Sequence, residues 1–315
     1  MLDRLISEGH LYAPEYGGGL SNHFPMSLIA LARLRELATL PPEVLTTWAD
    51  SYRARLELGP FSDKYGFVRA LENRDPLLVV RETLEQFGDG LAGTAGHALL
   101  RIYFSLEAQP LLSHSVFLAE LARSLDYFVQ GYTRLGPISR HGQWSLSAAL
   151  AESKPIADRE HNRISRIRSI VARQAEVACL PEFAALVDRV AVAEPTVDSL
   201  IALASCAARN TDFTLLHALT TGHALLEIFD RIPLINRAPL SRGWIDFVAA
   251  AWLTQRLSWP DSVVSGTELD PAWKQLRITR DDHAPKAAFA LHRLCQRSEH
   301  PAFAAALSAY VAAYG

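Results

Sequence analysis

Eleven histidines stand in this 315-residue chain, and several of them open apolar, helix-patterned segments. His23 follows Ser21-Asn22 and precedes Phe24-Pro25-Met26-Ser27-Leu28-Ile29, while His97 follows Thr94-Ala95-Gly96 and precedes Ala98-Leu99-Leu100-Arg101-Ile102. Asn22 or Ser21 in the first segment and Thr94 in the second are good helix-capping residues. Pro25 fits a first turn, whose N–H groups have no intrahelical acceptor. His23 and His97 are therefore expected in first turns. There the positive end of the helix dipole disfavours imidazolium and leaves a neutral ring free to bind a metal or accept a proton. A third segment, Thr220-Thr221-Gly222-His223-Ala224-Leu225-Leu226-Glu227-Ile228, repeats the second, but Asp212 can cap a helix running unbroken from Phe213 through His217 to Ile228. His217 and His223 would then lie roughly 120° and about 9 Å apart on one helix, too far to share an ion, and the repeat register favours His223. Further on, Asp281-Asp282-His283-Ala284-Pro285-Lys286 precedes another apolar run, with Asp282 as the expected cap and His283 and Lys286 on neighbouring faces of a first turn. A lysine is electrostatically out of place at a helix N-terminus, so it either snorkels to solvent or has chemistry to do.

Apolar residues recur mainly at three- and four-residue intervals, as in Leu28, Leu31, Leu34 and Leu37, and β-branched runs are short. The pattern predicts an all-α fold with helices near 22–37, 42–57, 76–88, 96–107, 114–134, 161–178, 182–192, 196–208, 213–231, 241–257, 284–297 and 301–313. The three histidine segments are each followed by a second helix that stops before proline, at Leu58-Gly59-Pro60, Leu135-Gly136-Pro137 and Ser258-Trp259-Pro260. Their unequal spacing excludes a regular solenoid and predicts an irregular helical bundle built from degenerate helix-pair repeats. One all-α domain over 1–315 is expected, with halves 1–137 and 160–315 joined by a more polar connection or lid between Ile138 and Arg159.

Several function classes are disfavoured. A net charge of -3 and an isoelectric point near 6.4 provide no global field for nucleic acid. The opening residues lack a signal-peptide core, and Phe247–Leu253 is far short of the ~20 apolar residues that span a bilayer, so a soluble, cytoplasmic protein is expected. Cys179, Cys206 and Cys295 form no CxxC pair, against a disulfide framework or thiolate zinc site. Gly17-Gly18-Gly19 follows no predicted strand, so there is no dinucleotide fingerprint, and neither a P-loop nor a Gly-x-Ser-x-Gly elbow occurs.

Taken together, Asn22-His23, Gly96-His97-Ala98-Leu99-Leu100, Asp212-Phe213 with His217 and Thr220, and Asp281-Asp282-His283 with Lys286 resemble the questin oxidase-like family, over nearly the whole chain. Fungal members open an anthraquinone ring by a Baeyer–Villiger-type oxidation in aromatic polyketide pathways. The resemblance implies an oxygenase acting on a small apolar or aromatic substrate, with non-haem iron held by His23, His97, His217 and His283. It also implies a carboxylated Lys286 as an oxygen ligand and NADPH as a loosely held external reductant. It favours His217 over His223 as the third ligand, while His223, Tyr16 and Lys286 are candidates for proton transfer or substrate positioning. Four neutral histidines suit iron, copper or zinc better than magnesium or calcium. A non-catalytic helical-repeat module binding a small ligand or a protein explains the helices equally well but not the histidines at their starts. A metal-free oxygenase or decarboxylating enzyme using the histidines as bases is the third reading.

Overall fold

The computed structural model describes residues 1–38, 40–59, 61–209, 213–255 and 281–314; Asp212 and the 256–260 end of the third segment's second helix lie outside them. Helix makes up 71% of the described residues, far above the ~1/3 typical of globular proteins, so the fold is all-α. The helices are α1 Leu2–Gly9, α2 Phe24–Ala38, α3 Glu43–Arg53, α4 Phe67–Asn73, α5 Pro76–Phe87, α6 His97–Glu107, α7 His114–Gln130 and α8 Leu146–Glu152. They continue as α9 Lys154–Ile164, α10 Ile170–Ala178, α11 Pro181–Asp188, α12 Val197–Arg209, α13 Phe213–Arg231, α14 Arg237–Leu253, α15 Ala284–Ser298 and α16 Pro301–Tyr314. A 3-10 helix spans Gly88–Thr94, and β1 Glu15–Tyr16 pairs antiparallel with β2 Leu20–Ser21 across the glycine turn. Among the described residues no helix is long and apolar enough to cross a membrane.

Four helices form the centre. α2 packs on α6, α6 on α13, α13 on α15 and α15 back on α2, closing a ring. Every residue of α6 is buried, and α13 is buried from Thr214 to Leu225, which is why neither sequence shows a polar stripe. Each ring helix is followed by a partner packed against it, α2 by α3, α6 by α7, α13 by α14 and α15 by α16. These are the helix pairs of the repeat, and the structure adds a fourth pair, α15 with α16, beyond the three segments that the sequence suggests.

Two local expectations are corrected. Ile138–Arg159 is not simply a connection: it contains α8 and most of α9, whose Leu150 and Ala157 are buried, and both helices pack on α14. The helix expected over 161–178 is two helices, α9 and α10, because the Ser169 hydroxyl accepts from Ala172 N and caps a fresh start at Ile170. The sequence hid α8 and α9 because α8 is only seven residues long and α9 is strongly polar, with only Ala157 and Ile164 buried.

Candidate metal centre

The ring helices bring their N-terminal ends together, and each contributes a histidine there. His23 immediately precedes α2. Asn22 Oδ1 accepts from Phe24 N at 2.9 Å, and its amide donates to Ala13 O. His97 is the first residue of α6, reached through Gly96 at φ 79°, where a side chain would strain the backbone and run into Thr221 Oγ1. Thr94 Oγ1 accepts from Ala98 N at 3.0 Å, and Thr94 O accepts from the His97 ring. His217 lies in the second turn of α13. His283 is the N-cap position of α15, but the residue that caps by side chain is Asp281, whose Oδ1 accepts from His283 N at 2.8 Å and Ala284 N at 2.9 Å. The expected cap, Asp282, instead turns its carboxylate into the site. Ser27 Oγ donates to Asp282 O at 2.7 Å and ties α2 to the entrance of α15.

The four imidazoles of His23, His97, His217 and His283 form one cluster across up to 260 residues of sequence. Ring centroids are 4.6 Å apart for His23 and His97, 4.4 Å for His97 and His217, 4.6 Å for His23 and His283, and 5.0 Å for His217 and His283. One ligand atom from each of His23, His97 and His283 lies within 4.8 Å of the others, a grouping that can hold a metal ion. His97 Nδ1 sits 2.7 Å from Thr94 O, and His217 Nδ1 faces Phe213 O. A carbonyl only accepts, so both Nδ1 atoms carry the proton and both Nε2 atoms present lone pairs. These two Nε2 atoms are 2.8 Å apart. Two neutral rings facing lone pair to lone pair repel, and a cation between them, a metal ion or a proton, relieves that repulsion. Two nitrogens ~2.1 Å from one metal at a right angle would sit ~3 Å apart, close to what is seen. His23 Nδ1 lies 2.6 Å from Asp282 Oδ2, the carboxylate–histidine arrangement that orients metal-binding rings.

The electrostatics keep the rings neutral. Burial, then the Lys286 charge, pushes His23 down to about 3 against the pull of Asp282. Burial and the neighbouring rings hold His97 and His217 well below the usual histidine value. Burial alone would raise Asp282, but the His23 and His283 rings beside it hold its carboxyl well below the usual range. Four helix N-termini add a positive field that opposes imidazolium and metal cation alike, and the Asp281 and Asp282 carboxylates offset it. Lys286 is 3% exposed, and its Nζ has no hydrogen-bond partner among the described residues. Burial lowers it to about 8 despite Asp282 and Asp281, so a neutral amine is within reach at physiological pH. Lys286 lines a cavity of about 10 Å³ with His217, His283, Thr220 and Leu100, roomy enough for one water.

Tyr16 joins the cluster indirectly. Its hydroxyl is 3.1 Å from that of Tyr52, which donates to Asp282 Oδ2 at 3.3 Å and accepts from His23 N at 3.2 Å. Tyr52 carries no sequence signal, since it sits in α3 at a position that reads as ordinary core. His223 is elsewhere, buried against the Tyr103 ring with Glu227 Oε1 3.7 Å away. Arg101, one turn after His97, is held by Glu120 at 2.8 and 3.1 Å, and Glu120 also meets His10.

No protein-family model, curated protein or solved structure matches the chain.

His223 supplies a pH prediction independent of the cluster. Burial pushes it down to about 4, with Glu227 pulling upward and Arg293 and Arg297 downward. The unfolded chain protonates this residue near 6.5 and the folded chain only near 4. Its contribution to stability is therefore complete above pH 6.5 and is lost as the pH falls towards 4. The size is about 3 kcal/mol. Denaturant unfolding of metal-free protein at pH 7 and pH 4.5 should show His223→Gln losing about 2–3 kcal/mol less than wild type between the two. Equal losses would show that His223 does not titrate in this way.

Proposed function

We propose that this chain is a metal-dependent oxygenase, with His23, His97, His217 and His283 as ligands and a small apolar or aromatic substrate. The observation that carries the metal is the facing pair of Nε2 lone pairs on His97 and His217, each ring locked by a backbone carbonyl. Histidine ligands with carboxylate support suit iron(II), which supplies dioxygen activation when bound. The oxygenase half of the reading is supported by the resemblance to questin oxidase-like proteins at Asn22-His23, Gly96-His97, His217 and Asp282-His283 with Lys286. The chain's own residues have clear tasks. Thr94 O and Phe213 O fix two ring orientations, Asp282 orients His23, and the apolar walls exclude water. Tyr16 and Tyr52 form a hydroxyl chain ending on Asp282, placed to carry a proton between the exposed hairpin and the centre. Among the described residues no dinucleotide-binding fold accompanies the site, so NADPH would act from solution.

One observation favours a second reading, a metal-binding helical module without turnover. The cavity beside the cluster is about 10 Å³, so an aromatic ring must displace part of the wall to reach it. Elemental analysis after ferrous loading under nitrogen, followed by oxygen-electrode traces with a hydroxylated aromatic and NADPH, separates the readings. The oxygenase reading expects one iron per chain and substrate-dependent oxygen uptake. Iron without uptake across a panel of aromatics leaves the module, and failure to hold any transition metal removes the centre.

A further inference from the structure

Three of the four clustered rings have a close contact that sets their orientation. His97 Nδ1 has Thr94 O at 2.7 Å, His217 Nδ1 has Phe213 O, and His23 Nδ1 has Asp282 Oδ2 at 2.6 Å. His283 is held more loosely. The carboxylate oxygens beside its Nδ1 stand further off, Asp282 Oδ1 at 3.3 Å and Asp281 Oδ1 at 3.8 Å. Its side chain is also more open, 18% exposed against 5% for His23. A ligand ring must keep one orientation to present its lone pair, so His283 needs support from its backbone and its packing.

Both kinds of support are present. Asp281 Oδ1 accepts from His283 N and Ala284 N and so fixes the backbone at the start of α15. The Phe213 ring lies against the imidazole, with centroids 4.6 Å apart at 48°. The two supports meet at Tyr310, on α16. Its hydroxyl donates to the same Asp281 Oδ1 at 3.1 Å, and its ring meets Phe213 edge to face at 6.0 Å and 78°. Tyr310 is buried, and α16 is anchored on α12 and α15, so the hydroxyl comes from a rigid platform. Hydrogen bonds to a carboxylate are among the strong ones, and a third donor on one oxygen opposes rotation of the Asp281 side chain.

We propose that Tyr310 is a positioning residue for His283, its hydroxyl fixing the Asp281 cap beneath the ligand while its ring backs Phe213. Phe213 O also faces His217, so displacing Phe213 disturbs two rings, whereas losing the Tyr310 hydroxyl alone disturbs His283. This role rests on the proposed metal centre for its effect on affinity; the orientation of the ring belongs to the metal-free protein.

The test uses full-length protein with ¹⁵N-labelled histidine, the His283 ring resonances being assigned with His283→Gln. Tyr310→Phe keeps the aromatic ring and removes only the hydroxyl. In metal-free protein it should shift the His283 ring nitrogens and leave those of His97 and His223 in place. Cobalt(II) affinity, read by equilibrium dialysis, should fall about tenfold or more, the range for a residue that supports a ligand. Asp281→Asn retains a capping oxygen and should move His283 in the same way. Adding Tyr310→Phe to it should cost little further, because the hydroxyl acts through that side chain. Wild-type cobalt affinity in Tyr310→Phe, full additivity of the two substitutions, or lost stability with an unshifted His283 ring overturns the role. If the wild type takes up no cobalt, the metal reading fails, and the His283 shift still decides whether Tyr310 positions the ring.

Discussion

His97→Ala and His217→Ala should each weaken transition-metal binding by more than about a hundredfold, while His223→Ala leaves affinity and stoichiometry unchanged. The expectation follows from geometry: His97 and His217 oppose their Nε2 atoms at 2.8 Å, whereas His223 sits about 9 Å further along α13 and touches Tyr103 instead. Losing one ligand exceeds the 10–100-fold cost typical of losing a supporting residue, so Asp282→Asn, which weakens the orientation of His23, should fall between wild type and the ligand variants. Cobalt(II) is a convenient probe, because its visible spectrum reports nitrogen ligation and equilibrium dialysis gives the affinity. Wild-type affinity in His217→Ala would sink the shared site, and a large loss in His223→Ala would mean that the wrong histidine on α13 has been assigned.

The second large effect is expected at Lys286. In the metal-free protein this ammonium is buried, has no hydrogen-bond partner among the described residues, and is lowered to about 8 by burial. A depressed lysine is a penalty fully present below pH 8 and gone above the unfolded value near 10.5. Lys286→Met should therefore stabilise metal-free protein by about 1–3 kcal/mol at pH 7, with the gain fading between pH 8 and 10.5. The functional consequence should run the other way. An unprotonated Nζ can attack carbon dioxide, forming an N–C bond and releasing one N–H proton to give an anionic carbamate oxygen facing the histidines. Metal affinity in wild type should then rise with bicarbonate, whereas Lys286→Arg, whose guanidinium stays charged, should bind metal poorly and show no bicarbonate response. Denaturant melts and dialysis at two bicarbonate concentrations check both halves. A Lys286→Arg protein matching wild type in affinity would remove this residue from the centre.

These outcomes bear on how much of the site was legible before the tertiary structure. The helix-opening positions of His23 and His97 follow from local rules: Pro25 belongs in a first turn, and Thr94 and Asn22 supply caps within four residues of the histidine. Those rules act over one turn, and the structure keeps all three features. The cap of α15 shows the limit of the same rules, since Asp281 and Asp282 are both competent. Which one caps and which turns inward depends on Tyr52 and His23, supplied by distant parts of the chain. Tyr52 itself was invisible, because a tyrosine amid Trp48 and Ala49 reads as core until its hydroxyl has a neighbour.

What the sequence by itself determined is the all-α class, most of the helix segments and the histidines at the starts of α2, α6 and α15, because hydrophobic period, caps and proline positions operate within a few residues. The family resemblance favoured His217 and the repeat register His223, and only the tertiary structure shows which of them lies beside the other histidine rings: His217 does, and His223 packs on Tyr103. Both lie on the same helix with equivalent local sequence, and the choice belongs to α6 and α15, which close the ring around one face of α13. The burial of Lys286 was decided the same way: a side chain at a first turn is solvated or enclosed according to what packs over it. Here Leu100 and Leu216, far away in sequence, provide the enclosure.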